Sequence, residues 1–398
     1  MKCKITGKNI KPFMTFGKMP IANGFLKKKN FKKEFFFEME VGFSKDVSLF
    51  QLNDHPKPKL MFNKNYPFFT GSSIGMINHF KKYSNWIKKN YFKNVKNLIE
   101  IGSNDGTFLK NFNSNKINSF GFEPSSNVAN VGRKNAVKTI NAFFNFKNAS
   151  KLKKLKKNTD LICAANAICH VPNLKDLIKG IDFLLGPKGF FIFEEPYLGS
   201  MFKKTSYDQI YDEHIFMFSV SSVKKIFNLF NFELIDVHPQ ITHGGSMRYV
   251  IGRKNFHKIK KNVSKYLQLE KKDHIDAVKG CLNFKKNCET SKKRLIKKIN
   301  AIKESGKNIA GYAATSKSTT ILNYCNISND QIDFICDTTP EKIGKYTPGT
   351  HIPVVSMSHF EKNTPDSIFL FAWNHKKEIF KKEKNKIKKN KWFAHIKI

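Results

Sequence analysis

The sequence predicts an α/β protein built around a Rossmann-like, doubly wound sheet, with a small β-rich module before it and a second Rossmann-like domain after it. Residues 97–123 (NLIEIGSNDGTFLKNFNSNKINSFGFE) predict a buried strand, a tight glycine turn, a helical stripe and a second strand that ends on an acid. Apolar segments then alternate with amphipathic ones to about residue 253, and a similar alternation begins at residue 308. This alternation is typical of parallel sheets covered by helices.

The turn at residues 102–106 indicates which nucleotide binds. A dinucleotide turn needs G-x-G-x-x-G, because its second glycine lets the backbone approach a pyrophosphate, and Asn104 occupies that position here. NAD is therefore disfavoured. S-adenosylmethionine fits instead, because it has a ribose but no phosphate and its sulfonium tolerates the nearby Asp105, while Glu123 is placed to accept hydrogen bonds from ribose hydroxyls. The alternative is an ordinary strand-to-helix turn that binds no ligand.

We therefore expect S-adenosylmethionine as the cofactor, bound along this turn and at the ends of the neighbouring strands. The expected cofactor-binding residues are Gly102, Ser103, Asn104, Asp105, Gly106, Glu123, Pro124, Asn127 and Asn166.

The chain has 398 residues and a formal net charge of +40, which at first suggests nucleic acid binding. Only four arginines occur, whereas proteins that read phosphate and guanine favour arginine, and the lysines are spread over the whole chain. We interpret most of the charge as a solvated surface and a smaller part as a field that attracts anionic ligands. Neither nucleic acid nor a membrane is expected as a partner.

The amino terminus lacks the apolar core of a signal peptide, and no apolar run approaches the roughly 18 residues of a membrane helix. The sequence thus predicts a cytoplasmic protein whose seven cysteines are reduced. It gives no indication of the oligomeric state.

Composition and periodicity divide the chain into four parts. Residues 1–72 form a short-stranded module with strands in FKKEFFFEMEVGF and SLFQL, and residues 73–253 form the central domain. Residues 254–305 are lysine-rich and helical, and residues 306–398 form the second, smaller α/β domain. The helical part is expected to be a bracing connector, with a coiled-coil partner surface as the alternative.

The central domain is expected to contain seven strands, of which the last is antiparallel. A helix between the first two strands is indicated by Phe108, Leu109 and Phe112. The later strands are expected at residues 136–140, 160–166 and 189–197, followed by a hairpin of FELIDV and SMRYVIG.

The segment at residues 207–214 (YDQIYDEH) concentrates titratable groups after the fifth strand, where ligands bind in open α/β sheets. His214, with an ordinary pKa of about 6.5, suits removal of a proton from a carbon beside a ketone. Glu213 is suited to orienting the imidazole, and Tyr211 to donating to an enolate oxygen. Each residue alone would also suit a surface loop. Further residues expected at the same sheet edge are Asn166, His170, His243, Gly244, Gly245 and Ser246.

In the second α/β domain, the segment TSKSTT opens a helix directly after the strand NIAGYAA. Lys317 at the amino terminus of that helix would make an anion site, because free N–H groups and the helix dipole point at the ligand. Plain N-capping by Ser316 or Ser318 is the alternative.

Several of these segments closely resemble the nucleotide-sugar C-methyltransferases of deoxysugar pathways. The segments are LIEIGSNDG, GFEPSSNVA, ANAICHVPNL, EEPYL, YDEHIFMFS, THGGSMR, GYAATSKSTTILNY and DTTPEKIGKYTPGTHIPV, in matching order over nearly the whole chain. The resemblance implies a zinc-bearing amino-terminal module, a class I methyltransferase domain and a Rossmann-like carboxyl-terminal domain. It also implies methyl transfer from S-adenosylmethionine to the carbon beside the keto group of an NDP-4-keto-6-deoxy sugar.

The same resemblance implies roles for individual residues. His214 corresponds to the base, and Tyr211, Glu213 and His170 to residues that line the sugar site. Tyr66 resembles the active-site tyrosine of the amino-terminal module. The residues that correspond to substrate contacts of the carboxyl-terminal domain are Lys317, Thr320, Asn323 and Asp337, and the turn at His243–Ser246 is expected to join them.

The amino-terminal module departs from the family pattern in its metal ligands. The family holds zinc with two C-x-x-C pairs, whereas this chain keeps Cys3 and has Thr6, Ser44 and Val47 at the other positions. Because one thiol cannot form a tetrahedral zinc site, we expect no structural zinc and no metal ligands.

Two other functions stay open at this stage. An O- or N-methyltransferase acting on a nucleotide sugar would also need a base near its acceptor, but it would not need a ketone. A non-catalytic, basic RNA-binding protein would instead use the lysine-rich surface, which the cluster at residues 207–214 disfavours. The partner expected under the first two functions is a small nucleotide sugar.

Overall fold

The structure is a computed structural model that describes residues 1–384 and 391–398, and it confirms the α/β fold class. Three sheets are present in the described residues. They are an antiparallel sheet of four strands, a central sheet of seven strands and a parallel sheet of five strands. Among the described helices, none is both long and apolar enough to cross a membrane.

The amino-terminal module is an antiparallel sheet that borrows its last strand from the central domain. Its own elements are β1 (Pro12–Pro20), β2 (Phe36–Ser44), β3 (Leu49–Leu52) and the short α1 (Pro58–Met61). The two segments predicted as strands are β2 and β3. Residues 216–217 form the fourth strand of this sheet, beside β3, since Phe50 pairs with Met217 and Gln51 with Phe216.

The central domain carries the seven-stranded sheet between helices. In chain order its elements are α2 (Ile74–Tyr91), β4 (Asn97–Ile101), β5 (Asn118–Phe122), α3 (Ser126–Lys134), β6 (Thr139–Ile140), α4 (Phe146–Ala149), β7 (Thr159–Ala165), α5 (Leu174–Leu184), β8 (Leu185–Pro196), α6 (Leu198–Lys204), β9 (Phe216–Met217), α7 (Val220–Asn228), β10 (Phe232–Gln240) and β11 (Ser246–Arg253). The order across the sheet is β6-β5-β4-β7-β8-β11-β10. The predicted hairpin forms, and β11 runs antiparallel to both β8 and β10, between which it lies.

Two predicted elements are shorter than expected. The helix after the glycine turn is a single 3-10 turn (Leu109–Phe112), although its aromatic residues are buried as predicted. Phe108 packs on Tyr83 of α2, 4.9 Å between ring centroids. The third strand shrinks to β6, because Ala136 has a φ of +58° and this left-handed conformation is incompatible with a strand.

The helical part consists of α8 (Lys261–Lys272) and α9 (Val278–Glu304). Buried side chains on α9 include Phe284, which packs against Phe202 of α6 with ring centroids 4.8 Å apart, and against Phe50 of β3. These contacts support the bracing role, since the helix fills the junction between the amino-terminal module and the central domain.

The carboxyl-terminal domain has a parallel sheet in the order β14-β13-β12-β15-β16. Its elements are β12 (Ile309–Tyr312), α10 (Ser316–Cys325), β13 (Ile335–Cys336), β14 (Val354–Val355), α11 (Met357–Lys362), β15 (Ser367–Leu370), α12 (Lys376–Glu383) and β16 (Trp392–Phe393). Short 3-10 helices elsewhere in the described residues occur at Lys28–Lys33, Thr70–Ser72, Lys153–Leu155, Ile168–His170, Tyr207–Gln209, Thr242–Gly244 and Trp373–His375.

Glu270 of α8 fixes the connector to the central domain. Its buried carboxylate accepts hydrogen bonds from the backbone N–H groups of Val220 (2.6 Å) and Ser221 (2.8 Å) at the start of α7, and from the Tyr197 hydroxyl (2.9 Å). We expect Glu270→Ala to lower the free energy of unfolding by about 2 to 3 kcal/mol, because it leaves these buried donors without an acceptor. Urea unfolding of the full chain measures this.

The matched control for this experiment is Glu304→Ala, which removes an exposed carboxylate at the end of α9. It is expected to change the free energy of unfolding by less than about 0.5 kcal/mol. Equal stability losses in the two variants would contradict the anchoring role of Glu270.

Candidate active site

A cavity of about 970 Å³ lies at the carboxyl ends of β4, β5 and β7 and extends to the carboxyl ends of β12 and β13. Its walls come from the amino-terminal module, the central domain and the carboxyl-terminal domain. The expected site residues that line it are Tyr66, Gly102, Ser103, Asn104, Glu123, Pro124, Asn166, His170, Tyr211, Glu213, His214, His243, Lys317 and Asp337. The expected residues outside its wall are Asp105, Gly106, Asn127, Gly244, Gly245, Ser246, Thr320 and Asn323.

The glycine turn and Glu123 form one end of the cavity. Gly102 has a φ of +73°, and a Cβ placed there would lie 2.5 Å from the Cβ of Ala167, so both the backbone conformation and the space require glycine. The Glu123 carboxylate accepts hydrogen bonds from the backbone N–H groups of Ser125 (2.7 Å) and Asn104 (3.1 Å). These bonds hold it at the cavity wall, while burial raises its pKa.

Asn104 and Asp105 hold the chain segment before α2 over the turn. The Asn104 side-chain oxygen accepts from the backbone N–H of Thr70 (2.9 Å), and the Asp105 carboxylate accepts from that of Gly71 (2.6 Å). Asp105 also accepts from the Thr107 hydroxyl (2.6 Å). These contacts give Asp105 a structural role outside the cavity wall, and its expected contact with the cofactor stays a prediction.

The groups around the turn fit an adenosyl cofactor. The Ser103 hydroxyl and the Asn166 side-chain oxygen are buried without a hydrogen-bond partner, and both residues line the cavity. Buried polar atoms of this kind are normally satisfied, so a ligand with hydroxyl and amino groups suits this end of the cavity. Phe68 and Phe144 supply apolar wall for a heterocyclic base. Asn127 instead donates to the backbone oxygen of Tyr66 (2.9 Å).

His214 is a buried, neutral imidazole whose two nitrogens have different partners. Nδ1 lies 2.7 Å from the backbone oxygen of Gln209, and because a carbonyl only accepts, Nδ1 carries the hydrogen. Nε2 therefore has the free electron pair, and it accepts a hydrogen bond from the Tyr211 hydroxyl at 2.7 Å. Burial, followed by the neighbouring His170, lowers the pKa of His214 well below its usual value.

Glu213 bonds to the amino-terminal module rather than to the imidazole. Its carboxylate accepts from the Asn23 amide (2.8 Å) and from the Tyr66 hydroxyl (3.4 Å). The adjacent Asp212 accepts from the backbone N–H of Ala22 (3.0 Å). The expectation that Glu213 orients His214 is corrected, since the Gln209 carbonyl does so. Burial raises the pKa of Glu213, and burial together with the Glu213 charge raises that of Asp212.

His170 lies against the other side of the His214 ring. The two ring centroids are 5.3 Å apart at an interplanar angle of 22°, and Phe62 stacks on His170 with centroids 5.6 Å apart. Nε2 of His170 is buried without a hydrogen-bond partner. Burial lowers the pKa of His170 to about 4, so it is neutral at neutral pH.

The segment that carries His214 is also fixed to the carboxyl-terminal domain. Asp208 accepts a hydrogen bond from the indole N–H of Trp373 (2.7 Å) and pairs with His395 (3.1 Å). Thr320 donates to the backbone oxygen of Ile210 (2.9 Å), which explains why Thr320 lies outside the cavity wall.

Two lysines of the carboxyl-terminal domain, the buried Lys317 and the half-buried Lys342, line the far end of the cavity. Lys317 lies 3.3 Å from the side-chain oxygen of Asn374 and 5.0 Å from the ring centroid of Trp373. Lys342 donates to a backbone oxygen at 2.7 Å. Burial lowers the pKa of both lysines. Asn323 instead donates to two backbone oxygens within its own domain, at 2.8 and 3.0 Å.

The turn at residues 242–246 contributes one side chain to the cavity. His243 has a φ of +51°, lines the wall, and has its pKa lowered to about 3 by burial and then by the Lys317 charge. Gly244 packs under the Trp373 ring, and Ser246 donates to a backbone oxygen of the turn at 3.1 Å. These small residues shape the turn and lie outside the cavity wall, and their expected contact with the substrate stays a prediction.

Sequence analysis did not identify Asn23, Lys342 and Asn374. Asn23 precedes its partner Glu213 by 190 positions, and no local pattern marks it. Asn374 follows the strand β15, so the rule that ligands bind at the carboxyl ends of parallel strands provides a signal for it.

The chain matches three protein families in order. Residues 3–62 match a family described as "Putative zinc binding domain", residues 77–237 match "Methyltransferase domain", and residues 241–396 match "C-methyltransferase C-terminal domain". A curated relative, the C-methyltransferase NovU of Streptomyces niveus, is 27% identical over 374 residues, which cover 93% of this chain and 89% of the relative.

Solved structures with a similar fold cover less of the chain. The PH0226 protein of Pyrococcus horikoshii OT3 is 16% identical with a TM-score of 0.39, over 47% of this chain and 95% of that protein. The magnesium protoporphyrin IX methyltransferase of Synechocystis PCC 6803, solved with bound S-adenosylmethionine, is 11% identical with a TM-score of 0.34, over 46% of this chain and 81% of that protein.

The residues at the zinc-ligand positions of the amino-terminal module do not fit zinc. Cys3 is buried; its sulfur accepts a hydrogen bond from the backbone N–H of Thr6 (3.4 Å), and Val47 belongs to the same buried cluster. Burial raises the pKa of the Cys3 thiol, but hydrogen bonds from Ser44 and Thr6 outweigh burial and lower it. One thiol, two hydroxyls and an aliphatic side chain do not provide a tetrahedral set.

We expect Cys3→Ser to leave the metal content of the purified chain unchanged, because Cys3 has no partner thiols or imidazoles at these positions. Metal analysis of the variant and the unaltered chain, purified side by side, checks this. Loss of one zinc per chain in the variant would contradict it.

Proposed function

We propose that this chain, an S-adenosylmethionine-dependent C-methyltransferase, methylates the carbon beside the keto group of an NDP-4-keto-6-deoxy sugar, with His214 as the base. The observation that carries the proposal is the tautomer of His214. Its Nδ1 hydrogen is bonded to the Gln209 carbonyl, which leaves the electron pair on Nε2, and His214 lines the same cavity as the glycine turn.

In the proposed proton step, Nε2 of His214 removes the proton from the carbon alpha to the ketone. The electrons of the C–H bond move to the ketone oxygen and form an enolate. Tyr211, whose hydroxyl bonds to Nε2 before the substrate binds, donates instead to the enolate oxygen. Burial raises the pKa of Tyr211 well above its usual value, so the phenol keeps its proton and is suited to donating.

The cofactor end of the cavity would be formed by Gly102, Ser103, Glu123 and Asn166, with Glu123 accepting from ribose hydroxyls. When bound there, S-adenosylmethionine supplies an electrophilic methyl group on a cationic sulfur. The residues of this chain contribute alignment, because the same cavity wall holds His214 and the turn. Such alignment reduces the entropic cost of bringing two substrates together.

The positive charge at the far end of the cavity supports the proposal that the substrate carries a nucleoside diphosphate. Lys317 is buried and Lys342 is half-buried there, and two cations in one cavity suit a diphosphate better than a neutral acceptor. A volume of about 970 Å³ leaves room for a second ligand beside the cofactor. Asp337, at the end of β13, lines the same region and suits contact with hydroxyl groups.

We expect His214→Ala to abolish the exchange of solvent deuterium into the alpha carbon of the ketosugar, because no other group takes the proton. S-adenosylmethionine binding is expected to persist, since His214 is not among the residues expected to bind the cofactor. Mass spectrometry of the recovered sugar measures the exchange, and calorimetry measures cofactor binding.

The matched control is His238→Ala, which removes a histidine that pairs with Asp236 outside this cavity. This variant is expected to catalyse deuterium exchange at the normal rate. Normal exchange in His214→Ala would assign the base to another residue. Activity on a sugar whose ketone is reduced to a hydroxyl would favour O-methylation and overturn the proposal.

The pH dependence of kcat/KM follows from the lowered pKa of His214. A base with a depressed pKa stays unprotonated until the pH falls well below the usual value of about 6.5. We therefore expect kcat/KM to be constant from neutral pH through 6.5 and to fall only at more acidic pH. Initial rates over the range in which the chain is folded test this, and a half-maximal value at pH 6.5 would contradict it.

A further inference from the structure

We infer that Cys169, His170 and His214 form a binding site for a zinc-like divalent cation, and that the cation inhibits the enzyme by occupying the base. One ligand atom of each residue lies within 4.8 Å of the ligand atoms of the other two. Thiolate and imidazole are the ligands that zinc prefers, and three protein ligands with one open position are a common zinc arrangement. The inhibition rests on the proposed role of His214, whereas the site itself does not.

The spacing of the three ligand atoms is close to that of a bound site. Zinc bonds to sulfur at about 2.3 Å and to imidazole nitrogen at about 2.0 Å, so ligand atoms in a tetrahedral site lie roughly 3.5 Å apart. Binding of the cation therefore requires these atoms to approach one another by up to about 1.3 Å from the present upper limit of 4.8 Å.

His170 is the residue whose environment points most directly to a ligand. Its Nε2 is buried without a hydrogen-bond partner, while its ring is fixed by stacking on Phe62 and His214. A buried imidazole nitrogen without a partner is costly. A cation at this position would satisfy it.

His214 already has the hydrogen-bond arrangement of a metal ligand. A ligating histidine typically donates its other N–H to a carbonyl or carboxylate, which fixes the tautomer and the ring orientation. Nδ1 of His214 does this with the Gln209 oxygen at 2.7 Å, so Nε2 is the ligating atom. Tyr211 now bonds to that nitrogen, and its hydroxyl must turn away when a cation binds.

Cys169 is held beside these histidines by a turn with a fixed backbone. The Glu195 carboxylate accepts from the N–H groups of Ala167 (2.9 Å) and Ile168 (2.7 Å), and the Cys169 thiol lies within hydrogen-bonding reach of the same carboxylate. Coordination replaces the S–H bond with a sulfur–metal bond, and the proton is released to the buffer. No electron transfer is involved, because zinc keeps its charge.

The first experiment measures binding on the metal-stripped full chain. Four proteins are compared: the unaltered chain, Cys169→Ala, Cys169→Ser and Cys3→Ser. Co²⁺ is added to each as a spectroscopic probe, and Zn²⁺ binding to each is measured by calorimetry. The unaltered chain and Cys3→Ser are expected to show thiolate-to-cobalt absorption, and the two Cys169 variants to lack it. Loss of one ligand is expected to weaken zinc binding by at least about tenfold. Circular dichroism confirms that the Cys169 variants are folded, and the serine variant serves if the alanine variant is not.

The second experiment measures methyl transfer at increasing zinc concentration, relative to the metal-free rate of each protein. Half-inhibition of the Cys169 variants is expected at zinc concentrations at least about tenfold above those for the unaltered chain and Cys3→Ser. Unchanged zinc affinity in both Cys169 variants would overturn the site, whatever the activity. Zinc bound through Cys169 without loss of rate would instead overturn His214 as the base and leave the site standing.

Discussion

The geometry of the site depends on one segment, residues 207–217, that all three modules hold. Its last residues complete the amino-terminal sheet by pairing with β3, and its acids accept hydrogen bonds from Ala22 and Asn23. On the other side, Asp208 bonds to two residues of the carboxyl-terminal domain. Because His214 lies within this segment, the imidazole is positioned by contacts from both ends of the chain. Displacement of either outer module would move the base relative to the cofactor turn, and misplacement of about 1 Å is costly in such a site.

Burial, rather than a charged partner, sets the protonation of the central groups. His170, His214 and His243 all have lowered pKa values for which burial is the leading cause, so three imidazoles in one cavity are neutral at neutral pH. This is the effect expected of desolvation, which disfavours the charged form of a buried imidazole. The lysines in the cavity wall are Lys59, Lys317, Lys342 and Lys382, of which the last three belong to the carboxyl-terminal domain. The cavity thus combines a neutral proton acceptor with positive charge suited to phosphate.

The sequence predicts features that depend on a single strand or turn better than features that depend on contacts between distant segments of the chain. Strand ends and residue chemistry predict the positions that do line the cavity, which are Gly102, Ser103, Asn104, Glu123, Tyr211, Glu213 and His214. Asp105 and Thr320 lie outside it because each bonds to a neighbouring segment or module, which periodicity does not reveal. Asn23 could not be predicted, since its contact with Glu213 spans 190 positions. The third strand was overestimated because the left-handed backbone at Ala136 leaves no mark in hydropathy.

The amino-terminal module has a single thiol at its zinc-ligand positions, and contacts with the other two modules explain how it folds with this incomplete set of ligands. Its sheet gains a strand from the central domain, and Glu34 pairs with His351 of the carboxyl-terminal domain at 2.7 Å. Phe31 stacks on the same histidine with ring centroids 3.7 Å apart. A small module that cannot bury enough surface alone needs a metal, a disulfide or a partner surface, and here the other two modules supply that surface. The same contacts position Asn23 and Tyr66 at Glu213, so folding of this module and assembly of the active site are one process.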